Sequence, residues 1–337
     1  MKNNRTYTHY YGLDFLRGLS GYGVAVCHYF AFIYQNSFSE YLSFIFVEFF
    51  FILSGFVLFP QLLKVLENKN NLLIFYQRRW IRTLPLYILC LLLISVIFNK
   101  VFTLDFYKYF FFIQDLIPNF LNEAYYPIVW SLSIEEFFYL IFPLILILLK
   151  DNKDNDILTK LLVLFVLLIS IKYFFIGKFD SQFIRTGTLF RFDAILLGFM
   201  IRFVYKKFSF FTSLFLLIFF LCLYLYFKDY ILLNNEEKFV KFVFILLLQL
   251  LSTSALIFFI NIEFLINFNF MKKIALLISR QTYSVYLTHM IFIYILMKLN
   301  MTSISSFCLY VTLLFTTSSI SYYFLEKPLL AMRPKFK

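Results

Sequence analysis

Residues 41–63 read YLSFIFVEFFFILSGFVLFPQLL, 23 residues with one charge, Glu48. A helix crosses the ~30 Å hydrocarbon core of a bilayer in about 20 apolar residues, so this run is long enough to span. Comparable runs cover roughly 12–34, 80–99, 131–149, 158–176, 186–205, 209–227, 240–260, 273–297 and 302–325. The expected fold class is therefore all-α, a polytopic membrane helical bundle of about ten transmembrane helices. Composition agrees: 62% of the 337 residues are hydrophobic and 15% charged, against about 45–50% and 25% in soluble domains. Soluble globular and disordered chains are both excluded. The 51 Phe and 25 Tyr exceed what lipid-facing surfaces need and carry no functional reading.

Sidedness follows from the basic residues. The termini and the even-numbered connections hold 20 Lys and Arg, among them Lys2, Arg5, Arg78, Arg79, Arg82 and Lys153, and the other, outer connections hold 9, among them Lys172 and Arg185. Both termini are expected in the cytoplasm. The 31 Lys and Arg exceed the 19 Asp and Glu, but they punctuate apolar runs instead of forming one stripe, so no nucleic-acid partner is expected. Cys27, Cys90, Cys222 and Cys308 stand singly, which indicates neither a disulfide framework nor a metal site. Asp14, Arg17 and His28 interrupt the first apolar stretch and no small-residue cleavage site follows, so it reads as a retained span. With no internal repeat or linker, residues 1–337 are expected to form a single integral-membrane domain. The connection 100–130 contains a short apolar piece, Phe106 to Ile117, too short to span and read as interfacial or re-entrant.

A charge at the bilayer centre costs at least ~2.5 kcal/mol, so each polar group inside a span needs a reason. The candidates are Asp14, Arg17, His28, Glu48, Glu135, Arg191, Asp193 and His289. Arg17 and His28 are eleven residues apart, which returns to within ~20° of the same helix face and separates them by ~16 Å. By the assigned sidedness Glu48, Glu135, Arg191, Asp193 and His289 join His28 in an outer layer. Arg17, Arg78, Arg79 and Arg82 form an inner one, suited to a phosphorylated cytosolic donor. Plainer readings stand beside these. The three arginines fit a positive-inside anchor; Ser133 to Glu136 fits a helix capping box; Asp193 would neutralise Arg191 or Arg185; and His289, after Tyr283 and Tyr286, fits a hydrogen-bonded packing histidine.

At these residues the chain resembles the acyltransferase 3 family, multi-span membrane proteins that acylate cell-surface glycans and some other acceptors. Gly12 to Gly18 with His28 is similar to the first-helix motif of Arg or Lys followed after ten residues by His. Phe49 to Phe56 is similar to FFxLSGF, Arg78 to Pro85 to RRxxRxxP, and Trp130 to Pro143 to WSLSxEExFYxxxP. Arg191-Phe192-Asp193-Ala194 with Gly198, Tyr283 to His289, and Glu326-Lys327-Pro328 complete the series. Glu48 stands where members more often carry Asp, and Phe137 where Gln is common. The resemblance implies acetyl-CoA as donor, a glycan or lipid-linked glycan as acceptor, and a bacterial cytoplasmic (inner) membrane location. The hydrolase-like extracellular domain of some members is not expected, so the acyl group would pass to its acceptor directly or through a separate partner protein.

Transfer of an acyl group from a thioester to a hydroxyl needs a base, an oxyanion cradle and a hold on the donor's phosphates. Arg17, Arg79 and Arg82 are expected to hold the nucleotide end of acyl-CoA, and His28 to act as general base, or as an acylated intermediate, near the outer side. Glu135 would orient its tautomer and Arg191 would stabilise the oxyanion or acceptor. Asp14, Glu48, Asp193, Tyr283 and His289 would support the site. The rival class is a transporter or flippase for a lipid-linked glycan or other anionic substrate. Against it, the chain has 8 Gly and 7 Pro and no paired broken helices.

Overall fold

A computed structural model describes residues 9–150, 157–234, 236–266 and 268–337. Lys2, Arg5 and Lys153, which entered the charge count, lie outside these residues. Among the described residues the chain is all helical, with no strand. The α-helices are α1 (Tyr11–Ile33), α2 (Ser37–Glu67), α3 (Asn71–Ile97), α4 (Leu104–Phe110), α5 (Trp130–Leu149), α6 (Ile157–Phe175), α7 (Ser181–Thr186), α8 (Phe192–Val204), α9 (Phe210–Tyr226), α10 (Lys228–Leu233), α11 (Lys238–Asn261), α12 (Glu263–Ile266), α13 (Asn269–Lys298), α14 (Ile304–Ser321) and α15 (Lys327–Ala331).

The expected apolar runs fall on helical segments, and among the described residues six helices are long and apolar enough to cross a membrane: α2, α3, α6, α11, and the helices running through α5 and through α14 to α15. The chain is a multi-pass membrane protein. The other four expected spans fall short for identifiable reasons. α1 and α13 have 23 and 30 residues but carry Arg17, His28 and His289, whereas α8 has 13 residues and α9 has 17.

Helix starts are set by short polar side chains. Asn36 Oδ1 accepts from Ser39 N at 3.0 Å, Thr103 Oγ1 from Phe106 N at 3.3 Å and Asp180 Oδ1 from Phe183 N at 2.6 Å, each satisfying a first-turn amide. At the other end, Asn99 and Asn300 adopt φ of 54° and 53° just past α3 and α13. The chain then closes back through Lys100 N to Ser95 O at 2.8 Å and Met301 N to Leu296 O at 3.0 Å. Asparagine tolerates this left-handed position best after glycine. The expected capping box at Ser133 is corrected: a 3₁₀ turn, Pro127–Val129, leads into α5 at Trp130, which places Ser133 inside the helix with its hydroxyl on Val129 O.

The starts of α1, α3 and α13 share one end of the bundle. Arg17 Nη1 donates to Ser279 Oγ at 3.4 Å, and Tyr283 Oη at 2.6 Å to the carbonyl of Thr83. Their far ends share the other, where Tyr34 Oη donates to Thr302 O at 2.7 Å and the Phe98 and Tyr294 rings meet at 5.0 Å. α1 packs along α13 and α2, and α2 along α8. Glycines permit the last crossing: a Cβ on Gly55 would sit 1.9 Å from the Ile195 carbonyl oxygen, and one on Gly198 2.1 Å from that of Ile52. Backbones this close hold α8 against α2 without an intervening side chain. The expected interfacial piece near 106–117 is α4 and the turns after it, with Phe106, Tyr109 and Phe112 buried against α3 and α13.

Candidate functional site

His28 projects from the last third of α1 onto His289 of α13, with Nδ1 3.0 Å from His289 Nε2. The direction of that bond follows from the next one. His289 Nδ1 lies 2.7 Å from Tyr286 O and 3.2 Å from Val285 O, carbonyls that only accept. Its proton is therefore on Nδ1, its Nε2 accepts, and His28 donates from Nδ1. This leaves the His28 Nε2 lone pair as the basic atom of the pair. His28 lines a cavity of about 210 Å³ shared with Phe32, Glu40, Tyr109, Asp115, Trp130 and Arg185. Arg185 was read from sequence as an outer connection residue, yet here it is the cation of the vestibule, its guanidinium 4.0 Å from the Phe44 ring centre and 5.7 Å from that of Trp130. Burial pulls it down to about 10, against the opposing charge of Glu40.

A second cavity, of about 100 Å³, opens toward the end where α1, α3 and α13 begin. Arg17, Arg79, Arg82, Glu135, Tyr139, Tyr283 and Tyr286 line it. Arg17 Nη1 is held by Asp14 Oδ1 at 3.5 Å, and Ser279 Oγ donates to the same oxygen at 2.8 Å. The Arg79 guanidinium lies 4.2 Å from the Tyr139 ring centre. Glu135 accepts from Ser54 Oγ at 2.5 Å and from Tyr139 Oη at 2.9 Å. It thus joins the arginine cavity and not the imidazole pair; the orienting partner of His28 is His289. Tyr283 braces α13 on α3 through its bond to Thr83 O.

Tyr286 separates the two cavities. Its hydroxyl donates to Ile128 O, on the vestibule wall, and accepts from Ser131 Oγ at 2.6 Å, on the arginine side.

Glu48, Arg191 and Asp193 form a third group, and the expected neutralisation is rearranged. Arg191, 1% exposed, pairs with Glu48, and Asp193 pairs with Lys172 while accepting from Gln249 Nε2 at 2.8 Å. Arg191 does not line the cavity that His28 lines. Sequence reasoning missed Lys172 because it stood near the end of an expected span and was counted to a connection; a lysine four residues inside the 158–176 run was the available signal. No group of three or more His, Cys, Asp or Glu able to hold a metal occurs among the described residues.

The vestibule has its own titration. Burial raises the Asp115 carboxyl to about 7, with a hydrogen bond from Gln114 opposing the shift. The folded chain keeps this proton to higher pH than the unfolded one. The resulting stabilisation is therefore complete below the ordinary value of 3.8 and is lost as pH rises through about 7. Thermal unfolding in detergent from pH 5 to 9 should show the wild type losing stability across neutrality relative to Asp115→Asn. Curves that stay parallel would contradict a raised Asp115.

An acyltransferase domain family model matches residues 10–326. The O-acetyltransferase OatA of Staphylococcus aureus (strain NCTC 8325 / PS 47) is 29% identical over 221 residues, which cover 59% of this chain and 35% of OatA. The chain thus spans about a third of the length of that relative. An uncharacterized protein of Haemophilus influenzae (strain ATCC 51907 / DSM 11121 / KW20 / Rd) is 32% identical over 148 residues, 38% of this chain and 60% of its own. No solved structure matches.

Proposed function

The chain belongs to the acyltransferase 3 family, and from that premise we propose that it carries an acyl group, acetyl by preference, from cytoplasmic acyl-CoA to a hydroxyl of a surface or lipid-linked glycan on the outer side of a bacterial cytoplasmic membrane. In this reading about ten spans cross the bilayer with both termini cytoplasmic, and residues 1–337 act as one domain. The arginine cavity then faces the cytoplasm and the His28 vestibule faces out.

The observation that carries the reading is the directed imidazole pair, which leaves the lone pair on Nε2 of His28, a residue lining a cavity on the opposite side of Tyr286 from the arginines. Arg17, Arg79 and Arg82 hold the donor's phosphates by charge-assisted hydrogen bonds. The pantetheine arm runs along α1, over a distance comparable with the ~16 Å between Arg17 and His28. His28 Nε2 takes the proton of the acceptor hydroxyl as its oxygen attacks the thioester carbonyl; the C–S bond then breaks, and the imidazolium passes that proton to the departing CoA sulfur. Arg185 and Trp130 receive the acceptor in the vestibule, a cation and an aromatic face suited to sugars bearing carboxylate or phosphate. Glu48, Arg191 and Asp193 keep the α2–α8 wall in place.

Sealed inside-out vesicles given acetyl-labelled CoA on their outer, cytoplasmic face supply the test. Label is expected in lumenal glycan, and Arg82→Ala should raise the KM for acetyl-CoA about tenfold or more while leaving that for the acceptor unchanged. Glycan that crosses the membrane with its mass unaltered, and without label from any acyl-CoA, would favour the flippase instead.

A further inference from the structure

The residues after α15 turn back across the start of α3 and are fastened there at several points. Arg78 Nη1 donates to Pro334 O at 2.6 Å. Lys337 N donates to Asn71 Oδ1 at 2.8 Å, and Asn71 Nδ2 returns a bond to Lys337 O at 3.0 Å. The Phe336 ring, partly buried, packs against the hydrophobic cluster to which α2 and α3 contribute, with Lys64 Nζ 5.3 Å and the Arg78 guanidinium 4.9 Å from its centre. A segment held at 334, 336 and 337 fixes where 333 must lie.

Arg333 lies against like charge. Its guanidinium is pulled down to about 9 by burial first, then by Arg82, Arg79 and Arg78. The buried Nε atoms of Arg78, Arg79 and Arg333 have no hydrogen-bond partner among the described residues, and Arg79 and Arg82 share their cavity with Arg17 of α1. Glu326 is the carboxylate on the adjoining π-helical turn Tyr322–Glu326, and its Oε1 is also without a partner. Guanidinium groups gathered this closely repel one another and leave donors unsatisfied, a cost that a protein recovers by binding a polyanion. An isolated anchor for the lipid headgroups would not require a strap to bring in another arginine from the far end of the chain.

We propose that Arg333 is a phosphate-binding residue of the donor site, delivered by the strap 332–337 to complete, with Arg79 and Arg82, a guanidinium clamp on the nucleotide end of acyl-CoA. The inference rests on the acyl-CoA reading given above. It differs from that reading in placing a wall of the site on the last turn of the chain, outside the helices that carry the other arginines. Phosphate oxygens match the planar fork of arginine better than the point charge of lysine, so the residue type matters as well as its charge.

The test compares three donors that share the thioester and differ in phosphate: acetyl-CoA, acetyl-dephospho-CoA and S-acetylpantetheine. The readout is the ratio of kcat/KM for acetyl-CoA to that for S-acetylpantetheine. Arg333→Gln should lower this ratio about tenfold, the loss of one charge-assisted contact, and Arg333→Lys should recover part of it. Phe336→Ala, which loosens the strap without removing a charged group, should lower the ratio in the same direction. Acetyl-dephospho-CoA reports whether the contact is to the 3′-phosphate, in which case Arg333→Gln leaves its kcat/KM relative to S-acetylpantetheine at the wild-type value, or to the pyrophosphate, in which case that ratio falls too; either supports the assignment. An unchanged acetyl-CoA ratio in Arg333→Gln, or equal losses on all three donors, overturns it. A wild type that does not prefer acetyl-CoA to S-acetylpantetheine overturns the donor reading itself, and Arg333 with it.

Discussion

His28→Ala should lower kcat/KM for acyl transfer by about 10²- to 10⁴-fold, the range that positioned acid–base catalysis supplies. The expectation follows from a proton's location. His289 donates its Nδ1 proton in hydrogen bonds to the Tyr286 and Val285 carbonyls, so its Nε2 accepts from His28 and fixes the His28 imidazole with its lone pair on Nε2. Alanine removes that lone pair and leaves the bundle otherwise packed, since His28 touches the vestibule rather than the helix core. Labelled transfer in vesicles, normalised to the amount of detergent-extracted folded protein, gives the number. Retention of more than a tenth of wild-type activity would remove His28 from the chemistry. His289→Ala should cost less, because the lone pair survives but its direction is no longer held.

A loss of the same size, but in stability, is expected at the other buried charge group. Arg191→Ala leaves Glu48, 2% exposed, without its partner, and an uncompensated buried charge costs about 3–5 kcal/mol. The paired replacement Glu48→Leu with Arg191→Met removes both charges together and should recover most of that loss, as apolar replacements of buried pairs do. Thermal unfolding of the single and paired variants measures the difference. The same paired variant separates structure from chemistry. Arg191 faces Glu48 and the Phe51 ring rather than the His28 cavity, so activity per folded molecule should stay near wild type. A stable but inactive paired variant would return Arg191 to the reacting atoms.

Six of the expected spans were legible because hydrophobic length survives any packing arrangement, and residues 41–63 needed no neighbour to declare themselves. The shared face of Arg17 and His28 was equally local, a matter of eleven residues on one helix. What sequence could not supply were partners far along the chain. His28 meets His289 across 261 positions, and Arg191 meets Glu48 across 143. Spacing alone therefore gave Glu135 to the imidazole when Ser54 and Tyr139 hold it. Lys172 and Arg185 were misjudged for a different reason. A count of basic residues by connection treats each one as solvated, and both fold inward onto groups from other helices. The capping-box reading failed because Pro127–Val129 extends the helix upstream, beyond the pattern that the box requires.

The Tyr286 cross-brace bears on the energy of the whole cell. An enzyme that works from both faces of a membrane sustaining a proton gradient cannot hold a continuous wet channel, because water wires carry protons far faster than acyl groups are transferred. With Ser131, Tyr286 and Ile128 bonded together between the cavities, a hydrogen-bonded side chain and not an open passage stands between one cavity and the other. On the proposed reading the acyl arm would part that contact and fill the breach it makes. Each turnover would then move a group across while the membrane stays electrically sealed, and variants that shorten the Tyr286 side chain should be recognised first by leak, as a fall in membrane potential before any substrate is added.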